Sequence, residues 1–576
     1  MGREDRQVKL RDFLELDVKR QREAVLRKTG KEAQELILAS RHSTELVQSL
    51  ADEDFYLMVQ EIGPEDALPI ISMASTRQWQ YLLDLEIWHR DRITEEKAIY
   101  WLSLLFSSNL RRCLDWLRSE EPDWFIFLLL KGVRVIIKEK DQDPSELPDD
   151  LFTMDGVFYV QFLNTESESF LRKTLESMAQ NDYEQYQKTL LELSSYQIAE
   201  LEEEAYRTRN IRLGEKGFLP FEEAVGIYQY LRPDSLAKPS NKRVDQLPET
   251  EDLWTSPYSY SVVALEERNV FSLALQHIQR NVRERILVEL AGLTNHVIVA
   301  DLLLVTDREV LRKAMRKVCG YVSIGLQRLG GKDSSVASYL IEKYSLLTLF
   351  RFGYSGALEV KWDVQKWIRK SWFSEQRIPL SFLDSPWEEQ LSGLLRKRPL
   401  FYAGPAGYEG EYREFEDISE IEDCRTALNR IMALEKALKA LFEYEALSRF
   451  VEYVEKWYNK NLNHTVTYKN VLLTAFARHF LHKDELLAPL SLGKFREFFR
   501  MLWLNGSAYR EVRPHIKEVF LEWLTKNLKV PDIETAHRLQ EITNQIFADL
   551  RNELMYVSPE DLDPRYIRLF ILKAEE

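Results

Sequence analysis

LADEDFYLMV (residues 50–59), IGPEDALPII (62–71) and ASTRQWQYLL (74–83) repeat one pattern every twelve residues. Leu50, Ile62 and Ala74 each open a copy. Two spacers, two polar residues, an apolar residue, two more spacers and an apolar pair follow. Leu219 opens a fourth copy, LPFEEAVGIY, and Leu231 a shortened fifth, LRPDSL. Twelve residues make one short helix and one tight turn. Such a unit cannot bury its apolar face alone and has to stack on its neighbours. The rhythm therefore predicts a superhelix of short helices in the amino-terminal part of the chain.

Helix punctuation agrees. Gly63-Pro64-Glu65-Asp66 ends one helix and starts the next, with proline at the first helical position and acids near the positive end of the dipole. Ser75 with Gln78, Thr306 with Glu309, and Ser385 with Glu388 around Pro386 have capping-box spacing. Ser558-Pro559-Glu560-Asp561 reads as another start.

Short antiparallel helices are expected from about Glu45 to Lys138. They include WFIFLLLKGVRVII (124–137), read as a buried helix because it is too short for a bilayer and contains Lys131 and Arg134. KEKDQDPSELPDD (138–150) reads as a linker. In LFTMDGVFYVQF (151–162), Asp155-Gly156 separates two aromatic and β-branched runs, a hairpin signal; a loop leading into a helix at Glu166 is the other reading. Helices are expected from Glu166 to Leu231, followed by a proline-rich linker from Ser235 to Pro257. Residues 258–398 read as helical with a break at Gly330-Gly331, and PLFYAGPAGYEGEYREF (399–415) as a loop. Leu428, Ile431, Met432, Leu434, Leu438 and Leu441 then keep helical spacing within a long amphipathic stretch from Ile418 to Tyr458, the expected spine of a bundle. The fold class is all-α: an amino-terminal short-helix superhelix, then helical bundles, with one small hairpin near 151–163. The expected segments are 1–140, 151–235, 258–398 and 417–576.

The 576 residues are 45% hydrophobic, enough for several packed cores. Lys+Arg number 78 against Asp+Glu 93, a net charge of -15 that argues against nucleic-acid binding. The short basic cluster Arg396-Lys397-Arg398, between Leu395 and Pro399, reads as solvating a helix end. Cys113, Cys319 and Cys424 have no metal-ligand spacing and are odd in number; each reads as a buried apolar residue in a reducing compartment. The amino terminus has no apolar signal region, Arg6 stands where a myristoylation signal needs Ser or Thr after Gly2, and no stretch is built for membrane insertion. The expected location is the cytoplasm.

The candidate chemical motifs have structural explanations. Gly325 to Asp333 misses phosphate-loop spacing by one residue, puts Asp333 where Ser or Thr would hold magnesium, and follows a helix; a helix C-cap accounts for its glycines. His479, His482 and Glu485 lack zinc-site spacing. Gly353-Tyr354-Ser355-Gly356 lacks the nucleophile-elbow spacing and reads as a helix end. Trp362, Trp367 and Trp372 recur every five residues, which no single helix face accommodates, so core and partner-anchoring roles are both open. EEEAYRTRNIR (202–212) pairs Glu203 with Arg207 at i,i+4 and offers Arg207, Arg209 and Arg212 as a charged docking face. Asn295, His296 and Asp301 interrupt the apolar run LAGLTNHVIVADLLLV (290–305); buried polar groups need partners, so this helix is where a hidden pocket is sought. No catalytic residue, metal ligand or cofactor is predicted.

EEEAYRTRNIRLGEKGFLPFEEAVGIYQYLRP (202–233), with EIGPEDALPIISMASTRQWQYLLDLEIWHRD (61–91), resembles the bacterial domain-of-unknown-function family 6178 over much of residues 45–235. LFRFGYSGAL (349–358) and the stretch from LSGLLRKRPLFY to YREF (391–415) resemble it further on. That resemblance transfers no catalytic residue. The GPEDAL-type units are more remotely similar to the intracellular amino-terminal domain of MgtE-type magnesium transporters and to flagellar switch FliG superhelices. The similarity implies a helical platform for contact with other domains. The chain lacks the transporter's cystathionine-β-synthase pair and membrane helices, so magnesium sensing does not carry over.

The expectation is a non-enzymatic cytoplasmic scaffold that binds a protein partner. Two alternatives stand beside it. One is a divalent-cation-responsive module using Glu65, Asp66, Glu222 and Glu223, which would have to converge on one point. The other is an enzyme with a polar pocket around Asn295, His296 and Asp301.

Overall fold

A computed structural model describes the chain except for residues 1–11, 121, 140–141, 143–146, 149, 195–197, 237–259, 261–267, 304–306, 406–410, 443–445, 462–464, 484, 505–509, 529–531 and 574–576. Most of the proline-rich stretch 235–257, and Thr306, lie outside the described residues. The chain forms two compact units, residues 1–351 and 352–576.

In the first unit α1 (Val18–Leu26), α2 (Gly30–Ala39) and α3 (Ser43–Gln48) precede the twelve-residue rhythm, whose three consecutive copies become α4 (Asp52–Ile62), α5 (Leu68–Met73) and α6 (Thr76–Glu86). Each helix packs on the next but one: α1 on α3, α2 on α4, α3 on α5, α4 on α6. The short helices therefore stack in two rows. Leu50, Ile62 and Ala74 are all buried at the junctions, which is the burial the isolated unit could not provide. Gly63 ends α4 at φ 95, a left-handed conformation that glycine adopts without a Cβ penalty. Ser75 and Gln78 form the expected capping box at α6. The Gln78 amide also donates to the Val47 and Leu50 carbonyls at 2.9 and 3.0 Å, tying α6 to the turn between α3 and α4.

A two-residue hairpin, β1 (Trp88–His89) and β2 (Arg92–Ile93), leads to α7 (Glu95–Glu120), which packs on α5 and α6, and then to α8 (Asp123–Gly132). The run 124–137 is thus not one helix. It ends at Gly132 and continues as β3 (Val133–Ile137), antiparallel to β4 (Phe158–Phe162) from Val133↔Phe162 to Ile137↔Phe158. The β-branched sequence VRVII suits a ladder. Gly132 permits a close approach by the next helix, for a Cβ there would lie 2.2 Å from Leu171 Cδ1. The Asp155-Gly156 turn forms, with the Asp155 carboxylate accepting from the Val157 and Phe158 amides. Its leading run contributes one bridge, Phe152↔Val160; the main partner of β4 comes from before residue 138.

Helices α9 (Thr165–Asn181), α10 (Tyr183–Leu193) and α11 (Ile198–Glu215) follow. The fourth repeat copy shrinks to α12 (Phe221–Ala224) with a 3-10 turn Val225–Tyr228, and the fifth to a 3-10 turn Pro233–Ser235. The unit continues through α13 (Val270–Gln276), α14 (Arg280–Ala300), α15 (Arg308–Arg328) and α16 (Ser334–Lys343) into the start of α17 (Leu346–Lys370). Asp307 caps α15, its carboxylate accepting from the Glu309 and Val310 amides. Gly325 lets α17 approach closely: a Cβ there would sit 2.1 Å from the Leu349 carbonyl oxygen.

The second unit contains the remainder of α17, then α18 (Trp372–Glu375), α19 (Trp387–Leu395), the two-residue ladder of β5 (Phe401–Tyr402) and β6 (Tyr412–Arg413), and α20 (Ile418–Leu441). After α21 (Ala446–Asn461) come α22 (Tyr468–Phe480), β7 (Leu490–Ser491), α23 (Leu492–Leu502), α24 (Pro514–Thr525), α25 (Ile533–Leu554) and β8 (Leu572–Lys573), which runs parallel to β7. The expected spine is two helices, because Phe442 is extended at φ -115, ψ 138 and stops α20. Leu428, Ile431, Leu434 and Leu438 are buried as their spacing predicts, whereas Met432 is exposed. Phe476, Phe498, Phe520 and Trp523 form an aromatic core, and the Lys469 ammonium lies 2.8 Å from both Asp384 and Asp549. Pro386 precedes α19 without a side-chain cap, so Ser385 does not start that helix; Ser558 closes a turn onto Glu560 and Asp561 instead of starting one. Among the described residues no helix is long and apolar enough to cross a membrane.

Candidate functional site

Asp52, Glu53 and Asp54 form the first turn of α4. There the unpaired amides and the helix dipole favour carboxylates. Capping alone would leave them exposed, yet all three are buried. Asp52 Oδ1 accepts from Arg77 Nε at 3.1 Å, and Asp52 Oδ2 lies 2.9 Å from Lys216 Nζ. The same ammonium is 3.4 Å from Glu53 Oε1. The Lys216 carbonyl accepts from Asn295 Nδ2, and Asn295 Oδ1 accepts from the Tyr260 hydroxyl, both at 2.7 Å. Segments far apart along the chain thus meet at one polar centre. Burial raises the Glu53 carboxyl above its ordinary pKa, with Lys216 opposing that shift. Burial and the neighbouring Glu53 push the Tyr81 and Tyr260 phenols well above theirs, so both stay protonated at neutral pH.

A second cluster adjoins it. Arg212 grips Asp84 with two parallel bonds, Nε at 2.8 Å and Nη2 at 2.7 Å. Arg209 donates from Nε to the Asp84 main-chain carbonyl at 2.7 Å, and its guanidinium lies over the Trp88 ring at 5.3 Å. Burial lowers the Arg209 pKa.

The six residues singled out from the sequence divide among several environments. Arg207 is exposed and pairs with Glu204 rather than Glu203. Arg209 and Arg212 turn inward onto α6, and Asn295 joins the Lys216 centre. His296 is half-buried; its Nδ1 has no hydrogen-bond partner among the described residues, and burial with the nearby Arg351 lowers its pKa. Asp301 ends α14, where its carboxylate accepts from the Tyr228 hydroxyl at 2.7 Å and from Lys317 Nζ at 2.9 Å. Asp84, Lys216, Tyr81 and Tyr260 carry no sequence signal of their own. The three consecutive acids at 52–54 do, since a repeat position for exposed polar residues rarely needs three.

Two clefts flank Tyr81. One, of about 290 Å³, is lined by Asp52, Arg77, Asp84, Arg212 and Lys216 among others. The other, of about 250 Å³, is lined by Glu53, Tyr56, Tyr81, Trp88 and Tyr260 among others.

The remaining motifs resolve into structure. Gly330 follows α15 at φ 90, and Asp333 caps α16. Gly353 to Gly356 lie inside α17, not at a helix end. His479 stacks on Trp523. Glu65 accepts from the Tyr100 hydroxyl, Asp66 pairs with Lys31, and Glu222 and Glu223 are exposed on α12. Among the described residues no three His, Cys, Asp or Glu side chains are grouped to hold a metal ion. Trp362 is exposed, whereas Trp367 and Trp372 are buried; the three cysteines are free and buried.

These features define an all-α protein whose stacked short helices enclose a buried charged centre. The chain belongs to the family of unknown function DUF6178, which matches residues 11–573. No curated protein and no solved structure matches it.

Proposed function

We propose that this protein is a non-enzymatic protein-interaction platform of the bacterial cytoplasm. The two-row stack of α1 to α6 is the observation that carries this reading. Stacked short helices present a continuous outer surface, while Asp52, Glu53 and Asp84 are turned inward onto Lys216, Arg209 and Arg212, which tie α11 and the residue after it to the stack. Recognition then falls to the outside of the fold. Ile137, Met154 and Val157 are exposed around the Asp155 turn, with the exposed Tyr183 of α10 beside it. Apolar side chains gathered at one surface are the kind of feature a protein partner covers.

In-cell crosslinking with mass spectrometry tests this. A reproducible partner crosslinked near the Asp155 turn is expected, and the double substitution Met154→Glu, Val157→Lys should remove it while leaving the circular dichroism spectrum unchanged. Recovery of no partner, or of one indifferent to the substitution, would overturn the reading.

A further inference from the structure

The geometry points to the cleft between Tyr56, Tyr81 and Tyr260 as a binding site for a small zwitterion, a molecule carrying both an ammonium and a carboxylate. The argument is independent of the interaction surface above. Five aromatic side chains, Tyr56, Tyr81, Trp88, Phe218 and Tyr260, line this cleft. Tyr56 and Tyr81 meet edge to face at 6.2 Å, and Tyr81 meets Phe218 at 6.5 Å. Aromatic faces attract an ammonium group, more strongly where water is thinned; Lys216 already lies over the Tyr81 ring at 5.9 Å and Arg209 over the Trp88 ring at 5.3 Å, so Tyr56 and Tyr260 are the rings that matter here.

The charges in the wall are divided. Asp52 and Glu53 are matched by Arg77 and Lys216. Glu86, which also lines the cleft, is not matched. Its Oε1 accepts from the Tyr56 hydroxyl at 2.7 Å and from Gln60 Nε2 at 3.0 Å, both neutral donors, and among the described residues no cation pairs with it. Glu86 and the rings of Tyr56 and Tyr260 therefore offer a place for a positive charge.

One further feature offers a place for a negative charge in the same cleft. Lys97 lines it and is exposed, with no ion pair among the described residues. A simple cation would answer Glu86 but be repelled by Lys97; a simple anion would do the reverse. A zwitterion answers both. Leu57, Leu85 and Ile298 complete an apolar lining suited to a short hydrocarbon portion.

Titration calorimetry on the full chain tests this with four probes: glycine betaine, L-leucine, choline and acetate. The first two share the proposed chemistry and separate a quaternary from a primary ammonium. Saturable binding of either is expected, with choline and acetate weaker by at least about tenfold. Glu86→Gln and Lys97→Met should each weaken that binding by about tenfold, and both variants should keep the wild-type melting curve because neither residue is in the core. The proposal fails if neither zwitterion saturates, if choline binds as well as glycine betaine, or if the two substitutions leave the affinity unchanged.

Discussion

Removing either partner of the Asp84–Arg212 pair should destabilise the first unit, but by unequal amounts. The Asp84 side chain is 3% exposed and that of Arg212 is 36% exposed. Arg212→Ala strands a carboxylate in the interior with one neutral side-chain donor left, Gln80 Nε2 at 3.0 Å. A buried charge that loses its paired partner costs up to about 3–5 kcal/mol. Asp84→Ala strands a guanidinium that is already one-third exposed and can swing into water. Solvent screening reduces that loss to about 1–2 kcal/mol. Arg209 narrows the gap without closing it: besides bonding the Asp84 main-chain carbonyl, its buried guanidinium is attracted by the Asp84 carboxylate, so it partly compensates the anion in Arg212→Ala and loses that counter-charge in Asp84→Ala. The difference of about 2 kcal/mol corresponds to roughly thirtyfold in a local opening constant. Hydrogen exchange followed by mass spectrometry, read on peptides from α6 and α11, measures this opening directly. The double variant should lie closer to Asp84→Ala than to Arg212→Ala. Asp84→Ala opening these peptides as much as Arg212→Ala, or more, would refute the reasoning that burial of the anion sets the cost.

Gly325→Ala should destabilise the packing of α15 on the start of α17 by about 1–3 kcal/mol, because the new Cβ would meet a main-chain oxygen that cannot rotate away; an unchanged melting curve would contradict the close approach. Glu53 supplies a pH-dependent test. Its folded pKa is raised, so the folded state holds this proton more tightly, and its contribution to stability is largest below the ordinary carboxyl range and is lost as pH rises through the folded value. Glu53→Gln keeps the neutral shape and removes that loss. The urea midpoint of the variant relative to wild type should therefore shift upward as pH rises above the ordinary carboxyl range, and a constant difference would show that Glu53 has the same pKa in the folded and unfolded states.

Local signals are legible at Leu50, Ile62 and Ala74, at the Ser75–Gln78 box, and at the Asp155-Gly156 turn, because each depends on residues a few positions apart. The run 124–137 misleads for the reason short apolar runs do: helix and buried strand share that composition, and the choice rests on a partner. Here the partner of Val133–Ile137 begins at Phe158. The spine breaks at Phe442, a residue with no helix-breaking character of its own. In the site, Asn295, Arg209 and Arg212 stand out as polar residues in marked surroundings, while Asp84 and Lys216 look like ordinary surface charges.

Periodicity and capping chemistry, both short-range, are enough to make this chain a stack of short helices with bundles after it. Which charges are buried, and with whom, is decided only by the tertiary structure. Lys216 meets Asp52, and Tyr260 meets Asn295, because the packing of α4, α6, α11 and α14 carries them there. A buried ion needs a counter-charge within a few ångströms, and distance in space is the one quantity that spacing along a sequence does not set.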